Sequence, residues 1–112
     1  MSNFGLHLEN HFARLGKSFF TAMAPEKVGA APQLLHANAA AARLIDLDPA
    51  AFSDPRFTAV MAGHQPLEGF DSLAQVYSGH QFGVWAGQLG DGRALLIGQA
   101  RNAAGELWDI QL

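Results

Sequence analysis

Hydrophobic and polar positions alternate most clearly near the end of the chain, where Trp108, Ile110 and Leu112 stand against Asp109 and Gln111. A period of two sends successive side chains to opposite faces, so residues 106–112 are predicted as a half-buried strand. The apolar run Ala94-Leu95-Leu96-Ile97 opens a partner strand over 94–101, and Asn102-Ala103-Ala104-Gly105 supplies a four-residue hairpin link. Upstream the period changes. Asn38 precedes four alanines followed by Leu44, Ile45 and Leu47, which predicts a capped helix over 39–47. Asp48-Pro49 and Asp54-Pro55 each set a capping carboxylate before a proline at the first helical position. Each pair predicts a short helix, the second over 55–62 with its stop at Gly63. Ser72 predicts a further helix over 73–78, interrupted by Gly79.

The remaining segments carry weaker patterns. Phe4, Leu6, Leu8, Phe12, Leu15, Phe19 and Phe20 fit a loose helix over 8–16 ending at Gly16. Residues 25–32 read as an extended connector, 33–36 as a short strand, and 63–70 as a Gly/Pro loop. Residues 79–93 hold too many glycines for any assignment. The expected class is α+β, one domain of 112 residues: an N-terminal extension (1–35), a helical part (36–80), then a glycine-rich loop with an antiparallel strand pair (81–112).

Composition narrows the function. Apolar residues make up 49% and charged ones 15%, so part of the apolar surface is expected to face a partner or to drive self-association. A net charge of −3 excludes non-specific nucleic-acid binding, which needs a basic face. With no cysteine, disulfides and thiolate metal or redox sites are excluded. No stretch of 18 apolar residues and no basic-then-apolar leader occurs, which gives the expectation of a cytoplasmic protein without a membrane span. The chain stops within a strand pattern, so the expectation is the front piece of a longer protein.

Candidate chemistry gathers in Gly87-Gln88-Leu89-Gly90-Asp91-Gly92-Arg93. Glycines let a backbone approach an anion with its amides turned inward, while Asp-Gly is also common hairpin punctuation. A tight turn therefore stays open beside a phosphate cradle. A dinucleotide fingerprint is disfavoured because the segment runs into a strand, and a Walker A loop is excluded for lack of Gly-Lys-Ser/Thr. A kinase-style glycine-rich loop over nucleotide phosphates survives, with Arg93 as the fixed cation. His7 and His11 stand four apart but lack the zinc-protease order and read as surface residues, and His80 reads as structural. Phe82, Trp85 and Trp108 could stack on an adenine, although core packing is the commoner use. The carboxylates form no acid–base pair.

The block Y-S-G-H-Q-F-G-V-W-A-G-Q-L-G-D-G-R-A over 77–94, followed by L-I-G and W-D-I-Q-L, resembles the N-terminal region of the selenoprotein O (SelO, YdiU) family. The resemblance implies the N-terminal part of a protein-kinase-like, pseudokinase fold. It also implies transfer of AMP from ATP, with Mg2+ or Mn2+, to Ser, Thr or Tyr hydroxyls of protein substrates. Its nucleotide contacts fall on Gly90, Gly92 and Arg93. The family pattern continues after D-I-Q-L into Lys-Gly-Ala-Gly, so the strand lysine, the metal ligands and the catalytic base are expected beyond Leu112 and the 112 residues alone are expected to be inactive. Many relatives carry Glu where Gln99 stands, and some Gly at Ala94. Two other readings stay open: a non-enzymatic binding or interaction module, and a kinase relative that moves the γ-phosphate.

Overall fold

Six consecutive buried positions, 95–100, set the centre of the molecule. The computed structural model describes residues 3–27 and 29–112; at 77–81, 86 and 88–93 it describes the backbone alone. The strands are β1 (Leu8–Glu9), β2 (Phe20–Ala22), β3 (Leu73–Gln81), β4 (Val84–Arg101) and β5 (Leu107–Gln111). All pair antiparallel in one sheet of order β1-β4-β3-β2, with β5 also on β4. Because β1 and β5 both pair with residues 99–100 of β4, they occupy its opposite edges. The expected hairpin link closes β4 onto β5, with Arg101 opposite Leu107 and Gly105 at φ 84°.

Both faces of β4 are covered, which is why 94–97 reads as a continuous apolar run rather than an alternation. Leu95 and Ile97 face a core built with Phe57, Val60, Leu67 and Ala74. Leu96 faces the other side, against Leu73 and Phe70, with Leu8, Phe12 and Phe20 packed on it. The same two-sided burial explains a correction: residues 73–78 form strand β3, not a helix. Leu73 and Ala74 go to opposite cores, as neighbouring residues on a strand do. Ser72 caps nothing; its hydroxyl donates to the Met23 carbonyl at 2.6 Å and so ties β3 to the chain beyond β2.

The helical side follows its capping signals. Asn38 Oδ1 accepts from the amides of Ala40 and Ala41 and starts α1 (Ala39–Leu44). The helix stops three residues before the expected end. Asp46 takes φ 57°, and the Leu47 amide returns to the Ala42 carbonyl at 2.9 Å, a Schellman closure that turns Leu47 into the core. Asp48 caps a 3-10 turn (Pro49–Ser53) and Asp54 caps α2 (Pro55–Met61), both with proline in the first turn. Gly63, at φ 76°, closes α2 in the same way, with the His64 amide on the Ala59 carbonyl. Phe57 on α2 packs edge-on against Phe4 and Phe52, with ring centroids 5.6 and 5.4 Å away.

The N-terminal stretch departs most from expectation. In place of a helix over 8–16 there is β1 on the edge of β4 and a 3-10 turn (Phe12–Leu15) ending at Gly16. Residues 33–36 form no strand, and 25–27 belong to no helix or strand. Residues 1–35, set apart above as an extension, thus contribute β1 and β2 to the sheet.

Gly63 is the position where backbone freedom and close approach coincide. A Cβ there would lie 2.5 Å from the Glu26 carbonyl oxygen, on a left-handed residue. Gly63→Ala is expected to destabilise the chain by about 2 kcal/mol or more. Gly29→Ala, also left-handed but with open space around it, is expected to cost about 1 kcal/mol. Urea unfolding of both variants checks this, and equal losses would show that the contact with Glu26 carries no weight.

Candidate functional site

The glycine-rich segment is part of a long hairpin. Val76 and Tyr77 favour extended backbone, and β3 reverses into β4 through Phe82-Gly83, with Gln81 opposite Val84. Both turn residues have positive φ, 52° and 79°, the type I′ geometry that matches strand twist. The reversal lies here and not at 90–93. Gly90-Asp91-Gly92-Arg93 is strand, so a turn at that position is corrected.

The pairing along this hairpin is uneven. From the Ala74–Leu95 pair to the His80–Trp85 pair, β3 advances six residues while β4 advances ten. The surplus is greatest between Val76–Asp91 and Ala74–Leu95, where Gly92, Arg93 and Ala94 stand against Gln75 alone. A second irregularity falls at Gly87, at φ 72°. Bulged residues leave ladder amides unpaired and re-aim side chains, and glycine accommodates the bend. Of the predicted site residues, Gly90 lies opposite Tyr77, and Gly92 and Arg93 lie in the larger bulge. The surroundings of the Arg93 side chain, like those of His80, fall outside the described residues.

The aromatic candidates are not core residues. Phe82 is fully exposed at the turn, and Trp85 and Trp108 are 58% and 38% exposed. Trp108 and Leu112 remain partly open on the face where Ile110 is half-buried, so the alternation of β5 is only partly used. A largely apolar hollow of about 340 Å³ sits against α1 and α2 between Leu34, Ala41, Ile45, Phe52 and Met61. None of its lining comes from β3 or β4.

Two polar groupings escaped the sequence reading. Gln99 is the one buried polar side chain among the described residues. Its Oε1 accepts from the His11 and Phe12 amides at 2.7 and 3.2 Å, and its Nε2 donates to Asp109 at 2.8 Å. Beside it, Glu9 accepts from Arg101 Nε at 2.5 Å and pairs with His11 at 2.6 Å, while His7 stands 3.7 Å away. His7 and His11 therefore flank a carboxylate on extended chain rather than sharing a helical face. Among the described residues no group of three or more His, Asp or Glu could hold a metal ion. The contacts of Gln99 and Arg101 with the N-terminal segment span 87 to 92 residues, and no local pattern announces them.

The Arg101 hydrogen bonds, and then His11, hold the Glu9 carboxyl at about 2, below its ordinary 4.5. A lowered pKa means the folded state favours the ionised form, so this contribution is full above the ordinary value and is lost as pH falls through about 2. A carbon-detected NMR titration is expected to find Glu9 ionised well below 4.5, with β1 loosening from β4 as it protonates. An ordinary Glu9 midpoint would remove the ion pair from the account.

Comparison with known proteins completes the picture. The family described as Protein adenylyltransferase SelO matches residues 3–112. A relative from Bordetella parapertussis named Protein nucleotidyltransferase YdiU is 60% identical over 107 residues, 96% of this chain and 21% of the relative. Proteins of the same name from Azotobacter vinelandii and Pseudomonas putida are 50% and 49% identical over 107 residues, again covering 96% of this chain and 22% of each relative. The chain thus spans about a fifth of the length of these curated relatives. No helix among the described residues is long and apolar enough to cross a membrane.

Proposed function

Because this chain belongs to the SelO family, we propose that it is the N-terminal, nucleotide-binding part of a protein adenylyltransferase that moves AMP from ATP to Ser, Thr or Tyr hydroxyls of proteins. The family match across residues 3–112 is the observation that carries this reading. The relatives' name, protein nucleotidyltransferase, agrees with it at the coarser level.

In this reading the main-chain amides of Gly90 and Gly92 and the Arg93 guanidinium hold the negative charge of the ATP phosphates. The surplus of β4 residues opposite Gln75 supports it, since a bulge frees amides that a regular ladder would occupy. An acceptor hydroxyl oxygen then bonds to the α-phosphorus, giving its proton to a base outside these residues, as the bond to the α–β bridging oxygen breaks and pyrophosphate leaves. Fixed donors contribute by positioning and by neutralising charge. The described residues offer no fit for Mg2+ or Mn2+, so no step through a metal is assigned to them. The reading takes the metal ligands and the base from the remaining length that the relatives possess.

Two measurements test the reading. Calorimetric titration of the full-length protein with ATP and Mg2+ is expected to show an affinity about ten-fold or more weaker for Arg93→Ala, as loss of a charged phosphate contact requires. Equal affinities would remove Arg93 from the site. The 112 residues alone are expected to transfer no AMP, and labelled AMP appearing on a protein acceptor would contradict that. Addition of phosphate rather than AMP to an acceptor, seen by intact mass with a full-length relative, would favour the γ-phosphate alternative.

A further inference from the structure

We infer that Gln99 is a positioning residue for the 90–93 segment, acting through β5 and the N-terminal turn and touching no ligand. Gln99 stands in β4 opposite Glu9 of β1 and opposite Asp109 of β5, at the level where both edges of β4 are paired. Its amide has a fixed direction. Asp109 accepts only, so Nε2 must face β5, and Oε1 must face the N-terminal segment. There Oε1 receives the His11 and Phe12 amides, which open the 3-10 turn at Phe12–Leu15 and find no side-chain cap from His11 itself. One buried group thus ties the β4–β5 hairpin to an N-terminal segment almost ninety residues away. It does so on the strand whose bulged half carries Gly90, Gly92 and Arg93. Ordering the paired half of β4 anchors the start of the bulge.

The inference rests on the nucleotide reading for what the segment binds, and the test separates the two. Amide hydrogen exchange at 90–93, at His11 and Phe12 and across β5 is followed in the wild-type chain, Gln99→Leu, and the swapped pair Gln99→Glu/Asp109→Asn. The charged or titratable groups around position 99 are His7, Glu9 and His11 of the N-terminal segment, Arg101 on β4 and Asp109 on β5. Gln99→Leu takes the shared partner from Asp109 and from the His11 and Phe12 amides. Exchange at all three places is expected to be roughly ten-fold faster, the equivalent of one unmade buried polar contact. The swapped pair again sets a donor against an acceptor, and wild-type rates are expected to return. Unchanged rates in Gln99→Leu, or a swapped pair as loose as the single variant, would overturn the inference; so would a defect that spares 90–93. Parallel titration of the full-length protein with ATP and Mg2+ addresses the nucleotide reading alone: absent binding counts against that reading, while the exchange rates still decide the role of Gln99.

Discussion

Burial of β4 on both faces, together with pairing on both its edges, is the constraint from which the rest of the structure follows. Leu96 faces one core while Leu95 and Ile97 face the other. Each such side chain contributes about 1.5–3 kcal/mol by leaving water. A strand buried in this way cannot slip by one residue without exchanging its two cores. Its register therefore fixes where β1, β3 and β5 meet it, and so where the Gly90–Arg93 half begins. The helices α1 and α2 cover one face, and the N-terminal turn covers the other.

The two halves of β4 have opposite physical character. Residues 95–100 are buried and mostly apolar, with a single register shift against β5 between Leu96 and Gly98. Residues 84–94 run along β3 with a surplus of residues and with glycine at the irregularities, and the turn exposes Phe82 completely. A rigid half that carries a bulged half suits a site that must present backbone amides at a set place. A loop with two free ends would lose more conformational entropy for the same arrangement. The hairpin corrects the simple picture of a glycine-rich loop, since these glycines belong to an irregular strand.

Legibility in the sequence divides along the same line. Signals confined to a few residues were readable: Asn38, Asp48 and Asp54 cap as expected, and Asn102 to Gly105 closes the β4–β5 hairpin. The family resemblance at 77–94 rested on a contiguous block and agrees with the match over 3–112. Signals that depend on a distant partner were not readable. Residues 73–78 resembled a capped helix because Ser72 is a good cap, yet burial of Leu73 and Ala74 on opposite sides outweighed that local preference. Helix α1 ended early because Asp46 accepted a left-handed conformation; its carboxylate then receives the Ala103 amide at 2.6 Å, a link between helix and hairpin that no period reveals. For Gly90, Gly92 and Arg93 a glycine-rich pattern was legible, but not their place in a bulged strand.

The N-terminal residues show how long-range polar chemistry replaces local propensity. The segment 8–15 has too weak an apolar period to hold a helix by itself, and isolated short helices are marginal in water. Glu9 meets Arg101 at one end of this segment, and Gln99 takes the His11 and Phe12 amides at the other. Phe12 meanwhile packs on the Leu73–Leu96 core. Extended chain with one 3-10 turn satisfies all three contacts, whereas a helix over 8–16 would remove Leu8 and Glu9 from the edge of β4. The fold thus uses a buried amide and an ion pair where the local sequence supplies little preference. Both anchors sit on β4, which brings residues 8–15 under the same constraint as the 90–93 segment.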